Sequence, residues 1–336
     1  MPSRKSPSKA KPRASRLRDV ADGLAFAPHK IGHLLDETGR YHEPLDREFP
    51  FVIKLFRYTS RNHTRRATWH ERLELSLPLD GPARLRMGDD LVELAAGDLL
   101  VVDNLKLHHV EDFPGFDTRV IVISFLPEFV YSLGSPSHDY AFLLPFYSKL
   151  DRHPHILRAS DPLALPVGAV LGCLLECYFA RGNRQFREAG CKAFLLEILY
   201  HLARQFRGSN VRKWEFIRQQ ERSLRLKGLI DYLSNHFVER ITLEDAAKLA
   251  KMSLPQFTRL FKSVAGMTFV AYLTHLRLAH SLRLLQETDG TIAEIAASAG
   301  FADQSYFDKR FKKSFGQSPR DFRERQRAVG ENRPKA

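Results

Sequence analysis

The sequence predicts an α+β chain of more than one domain, with antiparallel β structure in the front half, a pair of apolar helices next, and an all-α unit last. Three observations carry this. The 336 residues exceed the roughly 250–300 at which a single hydrophobic core stops growing. Between Phe51 and Phe125 the apolar residues fall in short runs broken by Gly, Asp and Pro, as in a barrel or sandwich. From Leu224 onward the period is helical, and one unit of about 50 residues occurs twice.

Composition narrows the class. With 43% hydrophobic and 27% charged residues the chain can bury a core and fold. The most apolar stretch, Leu163–Ala180, is interrupted by Pro166, two glycines and Glu176, so no membrane partner is expected. Lys and Arg total 52 against 39 Asp and Glu, and a net charge of +13 suggests a polyanionic partner. Cys173, Cys177 and Cys191 are too few for a secreted disulfide framework, so a reducing, cytoplasmic setting is expected.

Residues 1–20, rich in Ser, Pro, Ala, Lys and Arg, read as a disordered basic tail with no apolar signal segment. Residues 21–160 hold the β structure, with strands expected at Phe51–Tyr58, Leu73–Leu79, Ala83–Met87, Leu91–Leu94, Asp98–Val102 and Arg119–Phe125. Turns are expected at Asp80-Gly81-Pro82, Gly88-Asp89-Asp90 and Gly97-Asp98. On a strand, His70, Arg72, Glu74 and Ser76 share one face while Leu73, Leu75, Leu77 and Leu79 share the other.

The run His70-Glu71-Arg72-Leu73-Glu74, followed by Gly81, Gly97, Asp103 and His108, resembles the cupin pattern. That resemblance implies an antiparallel jelly-roll barrel whose lumen receives His and Glu side chains. It also implies a small-molecule effector pocket containing His70, Arg72, Glu74 and His108. Where metal-binding cupins carry a further His, two residues before His70, this chain has Thr68. No metal or other cofactor is therefore expected; were one held, His70, Glu74 and His108 would be its ligands.

Residues 161–207 turn helical, over Pro162–Ala180 and Arg187–Phe206. In the second helix Phe194, Ile198, His201 and Gln205 form one line, and Leu195, Leu199 and Leu202 the adjacent one. So wide a stripe can pack on the barrel or on a second subunit; dimerisation through Leu195, Leu199 and Leu202 is the expectation. Residues 208–222, polar and basic, read as a linker.

The region 223–329 carries the repeat, ahead of a short disordered tail at 330–336. Thr242-Leu243-Glu244-Asp245 and Thr291-Ile292-Ala293-Glu294 each open a short alanine-rich helix in the manner of a capping box. Ser253–Lys262 aligns with Asp303–Lys312, placing Phe257 with Phe307 and Phe261 with Phe311. A short helix, a tight turn and a second helix make a helix-turn-helix unit. Between the two units Thr268–Gln286 reads as one helix of about 28 Å, close to the roughly 34 Å turn of B-DNA.

Over nearly all of its roughly 100 residues this region resembles the DNA-binding domain of AraC/XylS-type transcription regulators. Ile295-Ala296, Gly300-Phe301, Asp303-Gln304-Ser305-Tyr306-Phe307, Phe311-Lys312, Phe315-Gly316 and Ser318-Pro319 stand at that family's spacing. The resemblance implies base contacts from the positions of Pro255, Thr258 and Arg259, and of Gln304, Ser305, Asp308 and Lys309. Pro255 departs from the pattern, because it has no hydrogen-bonding side chain. Arg259 can fork to guanine, Gln304 can pair with adenine and Asp308 can accept from cytosine. Lys262, Lys312, Lys313 and Arg320 are expected to meet phosphate.

These expectations describe a cytoplasmic regulator whose partners are double-stranded DNA, a small-molecule effector and a second copy of the chain. RNA polymerase is a candidate further partner. The alternative is a metal-dependent cupin enzyme localised to DNA by its C-terminal domain.

Overall fold

A computed structural model describes residues 16–59, 67–88, 90–103, 106–114, 117–131, 136, 138–147, 155–206 and 213–331. The front half contains β1 (Ala27–Pro28), β2 (Phe51–Tyr58), β3 (Leu73–Pro78), β4 (Ala83–Met87), β5 (Asp90–Leu94), β6 (Leu99–Val102), β7 (His108–Asp112), β8 (Thr118–Phe125) and β9 (Ile156–Leu157). Six strands form one sheet in the order β1-β2-β8-β3-β6-β9, and three form another in the order β5-β4-β7. All six expected strands are present, with ends moved by one residue at most. The strands expected of a jelly-roll barrel form two sheets packed face to face, and among the described residues no closed barrel is found. The strand β7 was not expected, because His-His-Val-Glu-Asp has no apolar alternation; it is held by pairing with β4 across a shift at Arg84/Leu85.

The period of two along each strand divides the large sheet cleanly. Leu73, Leu75, Leu77, Ile121, Ile123 and Phe125 face a core shared with the helices, whereas Leu100, Val102, Val120 and Val122 join Leu85, Met87, Val92 and Leu94 of the small sheet in a second core. The first face is covered by α1 (Arg16–Asp22), α3 (Ala164–Phe179) and α4 (Arg184–Gln205), and the short α2 (Leu144–Tyr147) lies alongside. Residues 16–20 thus belong to a helix, not to a disordered tail; Ala21 is fully buried and the Arg18 guanidinium donates to the Leu79 carbonyl at 2.8 Å. The rest of the expected tail, residues 1–15, lies outside the described residues.

Leu195, Leu199 and Leu202 correct a second expectation. All three are 0% exposed and belong to the chain's own core with the sheet and α3, so they have no surface to offer a second subunit. The outward side of α4 carries Lys192, Glu197, Tyr200 and Arg204 instead.

The expected linker 208–222 is likewise corrected. Residues 208–212 lie outside the described residues, but α5 (Lys213–His236) is a continuous helix from there into the C-terminal domain. That domain continues with α6 (Leu243–Leu249), α7 (Leu254–Ala265), α8 (Phe269–Glu287), α9 (Ile292–Ser298), α10 (Gln304–Phe315) and α11 (Pro319–Glu331), the last reaching into the expected tail at 330–336, whose residues 332–336 are not described. Both capping boxes form: Thr242 with Asp245, and Thr291 with Glu294. The Asp303 carboxylate caps α10 by accepting from Tyr306 N at 2.6 Å.

Each unit has its own core, centred on Phe257 and Phe261 in the first and on Phe307 and Phe311 in the second. Gly300, in the turn of the second unit, ties the two together. Its φ is +86° and a Cβ there would lie 2.7 Å from the Val238 carbonyl oxygen, so only glycine fits. Arg277 of α8 donates to the Phe237 and Glu239 carbonyls at 2.7 and 2.8 Å, fixing the same corner. Among the described residues no helix is long and apolar enough to cross a membrane.

Candidate nucleic-acid interface and ligand pocket

The phenylalanine pairs decide which face of each second helix is free. Phe257 and Phe261 lie one turn apart on α7 and are buried, so Pro255, Gln256, Thr258, Arg259 and Lys262 stand exposed. On α10 the buried Phe307 and Phe311 leave Gln304, Ser305, Lys309, Lys312 and Lys313 exposed. Asp308 is half-buried, and its Oδ1 is covered and has no hydrogen-bond partner. Thr258 Oγ1 donates to the Leu254 carbonyl at 2.9 Å, so its oxygen keeps acceptor capacity. Arg320 at the start of α11 is exposed and pairs with Glu324 at 3.2 Å. Tyr306, 45% exposed with Arg310 over its ring at 6.0 Å, adds an aromatic to this face.

All four expected pocket residues come together. Between the two sheets lies a cavity of about 90 Å³ whose lining includes His70, Arg72, Glu74 and His108, with Phe56, Tyr58 and Phe113 among its apolar walls. His70 Nδ1 donates to the Arg72 carbonyl at 3.1 Å and His108 Nδ1 to the Lys106 carbonyl at 2.9 Å. The two rings meet edge-on with centroids 4.9 Å apart. Burial, reinforced by neighbouring His70, pushes His108 down to about 4 and so holds it neutral at pH 7. Burial raises Glu74, but His70 beside it, with His108 and Arg72, outweighs this and keeps the carboxyl below its ordinary range.

Arg72 is lowered by burial yet stays charged; its guanidinium stacks on Tyr41 at 5.0 Å and donates to the Glu43 carbonyl. Glu43 also pairs with Lys54 and accepts from the Tyr41 hydroxyl at 2.5 Å. Tyr41, Glu43 and Lys54 were not singled out in the sequence. Tyr41 and Glu43 come from an irregular segment whose only helix is the 3₁₀ turn Gly32–Leu34, so no periodicity marked them.

The pocket and the C-terminal domain share one stretch of chain, residues 67–76, which runs into β3. Thr68 and His108 exchange backbone hydrogen bonds at 2.8 and 2.9 Å. Thr68, His70, Arg72, Glu74 and Ser76 face the pocket. The alternate residues Ala67 and Trp69, together with Leu107, enter the core of the first helix-turn-helix unit beside Leu226, Ile230, Phe261 and Tyr272. Glu71 bonds Lys227 of α5 at 2.7 Å, and Arg40, stacked on Trp69, reaches Asp231 of α5 at 2.9 Å. Glu37 reaches Arg283 of α8 at 2.7 Å.

The β4–β5 hairpin makes a second dock. A Cβ on Gly88, whose φ is +62°, would lie 2.4 Å from the carbonyl oxygen of Gly266 at the end of α7. Gly88→Ala is expected to cost about 1–3 kcal/mol and to push the hairpin off α7. Hydrogen exchange at 264–268 should rise in the variant, and an unchanged rate there would mean that the hairpin does not brace the helix.

Residues 246–325 match the family model of a helix-turn-helix domain. The chain is 24% identical over 258 residues to the uncharacterised HTH-type transcriptional regulator YdeC of Bacillus subtilis, covering 76% of this chain and 84% of that one. It is 39% identical over 100 residues to the HTH-type transcriptional activator RhaS of Escherichia fergusonii, but spans only 36% of that protein's length. A solved structure, ToxT from Vibrio cholerae, superposes over 82% of this chain and 97% of its own with a TM-score of 0.44 and 13% identity. Both sequence relatives are named as transcription regulators, not as enzymes.

Proposed function

We propose, from the premise that the chain is a helix-turn-helix transcription regulator of the AraC type, that it reads double-stranded DNA through α7 and α10 and answers to a small molecule held between its two sheets. The observation that carries this is the pair of capped units, each with two phenylalanines turned inward and a cationic face turned outward. Thr258, Arg259, Gln304, Ser305, Asp308 and Lys309 are the proposed base contacts. Lys262, Lys312, Lys313 and Arg320 are the proposed phosphate contacts.

The signal would travel along residues 67–76, because a side chain displaced on the pocket face moves a backbone whose other face holds Trp69 and Glu71 against the DNA-binding domain. Self-association, if it uses α3 and α4, falls to exposed Leu165, Phe179, Phe186 and Tyr200. A cytoplasmic location accords with the free thiols of Cys173, Cys177 and Cys191.

Two variants test the helix faces. Arg259→Ala is expected to cost about 1–3 kcal/mol at one guanine-containing position and to relax preference there. Lys312→Ala is expected to weaken all sequences alike and to lower the salt slope by about one. Binding is measured against a panel of single-base operator variants at several salt concentrations. A uniform loss for Arg259→Ala with altered base preference for Lys312→Ala would reverse the assignment, and no effect from either would place the DNA surface elsewhere.

A further inference from the structure

The two helix-turn-helix units have separate cores, and α8 divides between them. Phe269, Tyr272, Leu273 and Leu276 belong to the first core, and Leu278 and Leu285, with Leu282 alongside, to the second. Arg277 stands at the division. Between 269 and 287 the helix holds neither Gly nor Pro, so nothing in its sequence kinks it, and its length fixes how far apart the units lie. It does not fix how the second unit is turned. Leu278, Leu282 and Leu285 form a single stripe, and helices packed on a stripe keep a scatter of about 15–20° in crossing angle. Over the 12 residues of α10, about 18 Å, a roll of that size moves the far end by about 5–6 Å. One base-pair step is about 3.4 Å, so the roll would lose the register between α7 and α10 on DNA.

A polar joint removes that freedom. Half-buried Arg277 donates through Nε and Nη2 to the carbonyls of Phe237 and Glu239, and so grips the turn between α5 and α6 that leads into the first unit. The same Nε lies 3.0 Å from the place a Cβ on Gly300 would take, in the turn between α9 and α10 of the second unit. With no side chain at Gly300, that turn rests directly on the Val238 backbone, and α10 begins four residues later. Resting on the reading of α7 and α10 as the helices that enter DNA, we propose that Arg277 is a positioning residue that sets the spacing between the two DNA half-sites. Through the Gly300 turn it holds α10 in one register relative to α7. The chain then accepts only operators whose half-sites stand at one separation and one helical phase. An inserted base pair shifts the half-sites by about 3.4 Å and about 35°, which a locked second unit cannot follow. Arg277 touches no base, so it governs the gap between half-sites and not the bases within them.

The full-length chain is used to select from a pool of random duplexes of about 30 base pairs, three turns of DNA. Affinity for a selected duplex is then compared with that for versions carrying one or two base pairs inserted between the protected half-sites. With the unmutated chain one spacing should dominate the selected pool, and a single inserted base pair should weaken binding by about thirtyfold or more. Arg277→Ala should reduce that penalty to about threefold or less. Arg277→Lys keeps a donor for one carbonyl but loses the fork that reaches two, and its penalty should fall between. Base preference within each half-site should stay that of the unmutated chain in both variants. The penalty is a ratio measured within one variant, so a smaller folded fraction does not alter it.

A selected pool of mixed spacings overturns the proposal, and so does a penalty in Arg277→Ala equal to that of the unmutated chain. If circular dichroism shows that Arg277→Ala does not fold, Gly300→Ala, which pushes the turn off Val238, takes its place in the same comparison. The spacing of the selected pool uses the unmutated chain alone and decides the matter even if both variants unfold. A pool in which no sequence is enriched overturns the reading of α7 and α10 and this proposal with it. Enriched sequences of variable spacing overturn this proposal and leave that reading standing.

Discussion

Trp69→Ala lowers the stability of the folded chain by about 3–5 kcal/mol, the range for removing a large aromatic side chain from a packed core. Trp69 is 0% exposed and, among the described residues, heads the fully buried side chains by volume. It sits in the β-rich front half of the sequence yet packs among Leu226, Leu229, Ile230 and Leu233 of α5 and Phe257 and Phe261 of α7. Removing the ring leaves a cavity in the first helix-turn-helix unit and takes away the surface over which Arg40 lies at 5.1 Å. The ion pairs around it, Arg40 with Asp231 and Lys227 with Glu71, are partly exposed and contribute too little to hold the two halves together alone. Denaturant unfolding followed by far-ultraviolet circular dichroism should show an early transition of the C-terminal domain, separated from that of the sheets. A loss under 1 kcal/mol with a single transition would mean that Trp69 is not the link between pocket and DNA-binding domain.

Leu199→Asp abolishes cooperative folding of the β half. Leu199 lies in one core with Leu195, Leu202, Ile198, Cys191 and the leucines of β3. The substitution removes a buried aliphatic side chain and asks the core to accept a carboxylate. Together these cost more than about 5 kcal/mol, which is comparable to the whole stability of many domains. Were the leucine stripe an intersubunit surface, the same change would give a folded monomer. Thermal unfolding combined with light scattering separates the outcomes: loss of the cooperative β transition is expected, and a folded, monomeric variant would return these leucines to an interface.

Much of the chain was legible because its periods are simple. Alternation placed β2, β3, β4 and β8 almost to the residue. It also put His70, Arg72 and Glu74 on one face, and that face lines the cavity. The repeat located both helix-turn-helix units, their capping boxes and the inward phenylalanines, since cap chemistry and a four-residue apolar spacing are local properties. By contrast β7 was hidden because its residues carry no alternation, and α1 and the start of α5 were hidden in stretches whose composition is polar.

What the sequence determined by itself is therefore which residues must be covered: the leucines of α4, the phenylalanine pairs and one face of each strand. What only the tertiary structure decided is what covers them. A leucine stripe looks the same whether a sheet of its own chain or a second copy lies against it, and here the sheet does. Trp69 and Leu107 gave no sign that they would complete the core of a helical domain well over a hundred residues away. Nor could Gly88, readable as a turn, announce that its missing Cβ makes room for the backbone of Gly266. Periodicity is set by local backbone geometry and fixes a side chain's direction, whereas its partner depends on how distant elements pack, and no period along the chain encodes that.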